Sequence, residues 1–234
     1  MILVCGGIKG GSGKTTFASN LAVIRSARGH DVVLIDADNQ ETSYDFTLLR
    51  GQNRNGDVGY LCSKQSGMGV RTSALQFAQK YDTVIIDSGG RDTVSQRAAL
   101  SVADVVLVPF VPRSFDLWTI EKVAEVLAEV KPANPKLEAY TFLNRADARG
   151  QFPALSSQLL REASGDVLHW SGLSVGDRVA FGKAAASGLA ITELRPEDPK
   201  AIEEIGALYD YVFASKTIAI SYDGPGAAVA GGAR

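Results

Sequence analysis

The sequence predicts an α/β fold: a doubly wound, mainly parallel sheet with helices on both faces. Two observations carry this. Short β-branched runs at Ile2–Cys5, Val32–Ile35, Thr83–Ile86, Val105–Phe110 and Ala139–Leu143 are apolar without interruption, and unbroken apolar strands mark burial on both faces of a parallel sheet. Helical patterns at about 15–29, 70–80, 93–101, 115–130, 152–164 and 198–213 fall between those runs, which makes a βαβ series.

With 234 residues, of which 45% are hydrophobic, the chain has material for one sizeable core, expected over residues 1–214. The closing SYDGPGAAVAGGAR offers little to bury, so 215–234 reads as a disordered tail. Residues 50–69 are rich in Gly, Asn, Ser and Gln and read as a long surface loop. A net charge of −2 leaves no global basic footprint, so any nucleic-acid contact must be a local patch. Cys5 and Cys62 form no CxxC pair, which fits a reducing, cytoplasmic setting. No run approaches the ~20 apolar residues of a membrane span.

The first strand runs into GGIKGGSGKTT and then into a helix with Phe17, Leu21 and Ile24 on one face. Strand, glycine-rich loop and helix together form a phosphate cradle. Gly10, Gly11 and Gly13 let main-chain N–H groups turn inward around Ser12, and the helix N-terminus at Lys14, Thr15 and Thr16 adds its positive dipole end. Lys14 is placed to neutralise β- and γ-phosphates and the Thr15 hydroxyl to ligate Mg²⁺. Ile8 stands where the general P-loop pattern has glycine, and an additional lysine, Lys9, follows it.

KGGSGKTT resembles the deviant Walker A motif of the ParA/MinD/nitrogenase-iron-protein family of P-loop NTPases. The resemblance covers the chain to about Phe213 and is nearest to the short ParA partition proteins. It implies that Lys9 reaches across a homodimer to the partner's nucleotide, so that ATP binding and dimerisation are coupled; a solvated loop lysine is the plainer alternative. VVLIDADNQ resembles the family's DxDPQ segment with Asn39 in place of proline. It implies that Asp36 holds Mg²⁺ through water and that Asp38 orients or deprotonates the attacking water, the plainer alternative being turn-capping carboxylates. Asp87 ends a run of apolar residues and reads as the Walker B carboxylate. The SGGRD after it lacks the family's Pro-Pro; Gly89 and Gly90 suit either a γ-phosphate-sensing loop or an inert turn. Pro109 and Pro112 resemble the family's proline-rich stretch at the ATP-bound dimer, or simply end a strand. Asn144 matches an asparagine that the family uses on adenine, and it is equally a favoured turn residue.

Family members of this kind bind DNA without sequence preference and answer to a ParB-like adaptor. The stretch VGDRVAFGKAAASGLAITEL resembles the segment that carries some of the basic contacts, which makes Arg178 and Lys183 the candidates. Residues 140–200 hold seven Lys/Arg against seven Asp/Glu, so composition gives that reading no support and solvated helix charges compete with it. A MinD-like membrane regulator would carry a basic amphipathic C-terminal helix, which the tail does not resemble. A cluster-bearing iron protein would need cysteines bridging a dimer. A small-molecule kinase or synthetase stays open, disfavoured by Lys9.

Overall fold

The computed structural model describes residues 1–112, 117–146, 152–163 and 165–220. Seven parallel strands form one sheet in the order β3-β2-β4-β1-β5-β6-β7: β1 Ile2–Cys5, β2 Val32–Ala37, β3 Leu61–Lys64, β4 Thr83–Ser88, β5 Val105–Phe110, β6 Glu138–Ala146 and β7 His169–Gly176. The helices are α1 Lys14–Ala27, α2 Thr42–Asn53, α3 Gly69–Phe77, α4 Val94–Leu100, α5 Leu117–Val130, α6 Phe152–Ala163, α7 Val179–Ala185 and α8 Pro199–Ile220. The doubly wound expectation holds.

Alternation along each central strand explains the two layers. Ile2 and Val4 pack with α3, α4 and α5 on one face, while Leu3 and Cys5 pack with α1 and α8 on the other. Phe17 of α1 meets Phe142 of β6 edge to face at 4.7 Å. That contact pins the helix that opens at Lys14 over the strand that ends near Asn144. Every C-terminal strand edge faces the same way, so the loops after β1, β2, β4 and β6 meet in one crevice.

The chain departs from the expectations in three places. Residues 50–69 are not one loop. They contain the last turn of α2, the edge strand β3 and the start of α3, and the register of β3 on β2 runs from Val33↔Leu61 to Asp36↔Lys64. Strand β7 and helix α7 lie between the helical patterns at 152–164 and 198–213, where no element is expected from the sequence. Helix α8 continues to Ile220, past the expected boundary at 214, while 221–234 lie outside the described residues.

A buried ion pair ties the α2 C-terminus to the chain's last third. Arg50 bonds Glu193 through two nitrogens at 2.6 and 2.9 Å and also donates to the carbonyls of Val58 and Gly188. Arg54 adds a third bond to Glu193 at 3.1 Å. Gly188 is glycine for a physical reason: its φ is +64°, and a Cβ there would lie 2.5 Å from the Arg50 nitrogen. No described helix is long and apolar enough to cross a membrane.

Candidate active site

The loop between β1 and α1 is held by its own lysine and by a residue from the far strand. Lys14 Nζ donates to the Lys9 carbonyl at 2.8 Å and the Ser12 hydroxyl to the same oxygen at 3.3 Å. Asn144 Nδ2 donates to the Ser12 carbonyl at 2.7 Å. Gly13 has φ +105°, and a Cβ on it would overlap the Asn144 amide, so glycine is required on both counts. Helix α1 opens with no side-chain cap bond. Its first N–H groups therefore keep their capacity for an anion.

Asp36 and Asp87 are register partners at the C-terminal edges of β2 and β4, yet their surroundings differ. Asp36 accepts the Asp38 N–H at 3.0 Å and the Tyr44 N–H at 2.8 Å, fixing the start of α2. Asp38 accepts the Gln40 N–H at 3.1 Å. The capping role weighed as the plainer alternative is thus present at both, beside whatever the nucleotide demands of them. Asp87 is 1% exposed and neither carboxylate oxygen has a hydrogen bond of ordinary geometry. Burial pushes its pKa up to about 7, with the hydroxyls of Thr15 and Ser43 and the Lys14 ammonium opposing the rise and Asp36 adding to it. Burial also lowers the pKa of Lys14, against the pull of Asp87 and Asp38.

A cleft of about 660 Å³ opens here, lined by Gly10, Gly11, Gly13, Lys14, Thr15, Thr16 and Asp38 and also by Arg91, Thr93, Ser95 and Arg145. Arg145 was not singled out in the sequence. Its signals are its place directly after Asn144 and, in the structure, a φ of +54° that is unusual for a non-glycine residue. Asn144 faces the phosphate loop, and its Oδ1 accepts the Arg145 N–H at 2.9 Å; the adenine contact expected of it is not what fixes it here. At Gly90 a Cβ would stand 2.8 Å from both the nitrogen and Cα of Gly10. The Pro-Pro usual in the resembling family has no room at that position unless the phosphate loop moves. Arg178 and Lys183 lie apart, in a second cleft of about 360 Å³. The Arg178 guanidinium is committed to Glu204 at 2.5 and 2.8 Å, which leaves Lys183 as the more available of the two cations.

Over residues 2–191 the sequence matches the CobQ/CobB/MinD/ParA nucleotide binding domain. The chain belongs to this family. The ParA/MinD-family chain is 26% identical to the maintenance of carboxysome distribution protein A of Halothiobacillus neapolitanus, over 91% of its own length and 96% of that protein. Its fold matches an ATP complex of a Cyanothece McdA variant (TM-score 0.72, 18% identity, 90% of this chain and 95% of that one). It also matches the septum site-determining protein MinD of Pyrococcus horikoshii OT3 complexed with Mg-ADP (TM-score 0.69, 17% identity, 93% and 97%).

ATP and Mg²⁺ are the ligands of this ParA/MinD-type site, and the residues present fit them. Two buried Asp87 oxygens that make no hydrogen bond of ordinary geometry, close to the Thr15 hydroxyl, suit a hard cation that takes oxygen ligands and keeps several waters. Among the described residues no cluster of three or more His, Cys, Asp or Glu could hold a metal ion. Bound there, Mg²⁺ would supply charge neutralisation of the phosphates. The chain's own part would be positional and electrostatic: main-chain N–H groups and Lys14 line the cleft where an anion would sit, and Asp38 lines the same cleft.

Proposed function

We propose that this chain is a ParA-type partition or positioning ATPase with slow intrinsic turnover. Mg-ATP closes a homodimer in which Lys9 of each subunit reaches the other's nucleotide. The dimer binds nucleoid DNA without sequence preference, Lys183 and the charges around it contributing, and a ParB-like adaptor stimulates the hydrolysis that releases it. Asp38 positions the attacking water, Asp36 and Asp87 serve the metal side, and Asn144 serves the base side of the nucleotide as well as the loop.

The observation that carries this reading is the Lys9-Gly10-Gly11-Ser12-Gly13-Lys14-Thr15-Thr16 loop, which lies at the crevice beside Asp36, Asp38 and Asp87 in a chain of this family. A relative whose name concerns carboxysome distribution, similar over 91% of the chain, supports a protein body as cargo beside a plasmid. Symmetric pairing doubles any small basic patch, and each neutralised phosphate steepens the dependence on salt. The test is DNA retention with ATP, ADP or no nucleotide, alongside size-exclusion chromatography. Retention and a dimer only with ATP are expected; equal retention without nucleotide, or a monomer at saturating Mg-ATP, refutes the switch.

A further inference from the structure

Three buried oxygens near the expected metal position make no hydrogen bond of ordinary geometry, although the Ser43 and Thr15 hydroxyls are close enough to Asp87 to oppose its rise in pKa. Two belong to Asp87; the third is the hydroxyl of Ser43, the second residue of α2, which is 0% exposed. Ser43 cannot drift from this place. Its neighbour Tyr44 is fixed to Asp36, and its own carbonyl accepts the Thr47 hydroxyl at 2.8 Å. The hydroxyl is close enough to Asp87 to oppose its rise in pKa, as is that of Thr15. Asp36 differs from both, because each of its oxygens already accepts a main-chain N–H.

Buried polar atoms are rarely left unpaired, and a group of them in one place marks a ligand that pairs them. Mg²⁺ dehydrates reluctantly and keeps several waters, each of which must donate its protons somewhere. We propose that Ser43, together with Asp87, receives the waters of the bound divalent cation, making Ser43 a positioning residue of the metal shell contributed by α2. The inference rests on the Mg-nucleotide reading of the cleft. It assigns the outer-shell work chiefly to Ser43 and Asp87 and gives Asp36 the task of holding the start of α2 in place.

The test uses the full chain with ADP and Mn²⁺, whose binding is read by electron paramagnetic resonance. Ser43→Ala should weaken Mn²⁺ binding to the ADP complex roughly fivefold, the size of one hydrogen bond, and leave ADP affinity in excess chelator unchanged. Ser19→Ala, which removes another buried, unpartnered hydroxyl from α1, should change neither. Should the alanine variant melt early, Ser43→Cys, which offers only a weak acceptor at similar volume, reports the same loss. Unchanged Mn²⁺ affinity in a folded Ser43 variant overturns the proposal, and so does a loss of ADP affinity that is equal with and without metal. A wild-type chain whose ADP binding ignores divalent metal would instead sink the underlying Mg-nucleotide reading.

Discussion

Replacing Gly13 with alanine probes how the phosphate loop is shaped, because the structure gives two separable costs. At φ +105° an alanine pays a backbone penalty of about 1–2 kcal/mol. Its Cβ also displaces the Asn144 amide, which then gives up its bond to the Ser12 carbonyl, a loss of about 1 kcal/mol. The sum is roughly 2–3 kcal/mol. Asn144→Ala alone removes that bond and leaves the Ser12 carbonyl and Arg145 N–H without their partner, at about 2 kcal/mol. Once Asn144 is gone, however, Gly13→Ala meets no amide and keeps only its backbone cost. Urea unfolding of wild type, both single variants and the double variant should therefore show a coupling of about 1 kcal/mol, with the double variant more stable than additivity requires. Additivity within about 0.5 kcal/mol would refute the reasoning, since it would mean that the two residues do not compete for the same space.

Lys14→Ala should weaken ATP binding at least about a hundredfold, because it deletes a buried ammonium worth two charge-assisted contacts; calorimetry showing unchanged affinity contradicts this. Asp38→Ala should bind ATP as wild type does and hydrolyse it about a hundredfold more slowly, so wild-type turnover would remove Asp38 from the mechanism. In metal-free protein the native state holds the Asp87 proton from its ordinary 3.8 up to about 7. Stability should accordingly fall as pH rises through that interval, by at most about 4 kcal/mol, and then level off; Asp87→Asn should flatten the slope in urea melts with chelator. Burial pushes Glu193 up, but the bonds from Arg50 and the Ala190 N–H outweigh it and hold its pKa below the usual value. Its stabilisation is thus complete above the ordinary carboxylate pKa and drains away as pH drops through the lower native value. Arg50→Ala should cost about 3 kcal/mol and erase that acid sensitivity, which denaturant titrations across acid pH will show.

The central strands were legible because parallel pairing buries both faces, and that demand writes itself as uninterrupted Val, Ile and Leu. Edge strands are under no such demand. Leu61 of β3 is 42% exposed, and LCSK carries no apolar run to betray it. Strand β7, HWSGLSVG, is broken by two glycines and shows no unbroken apolar run, and its pairing with β6 is itself irregular. Helix α2 was hidden by a weak apolar stripe and an internal Gly51. In the site, the glycines and Lys14 were readable because phosphate chemistry fixes their spacing. Ser43 and the bond from Asn144 to Ser12 were not, since each depends on segments far apart in sequence. Arg50 and Glu193 look like solvated charges until their 143-residue separation closes.

Gly90 and Gly10 touch main chain to main chain, with less clearance than a methyl group needs. Side chains absorb small displacements by rotating about χ angles, and bare backbone has no such slack. A slip of a few tenths of an ångström at one loop would accordingly be felt at the other, three residues before Thr93, whose hydroxyl caps α4. The smallest residue in the alphabet is what lets the two segments lie this close.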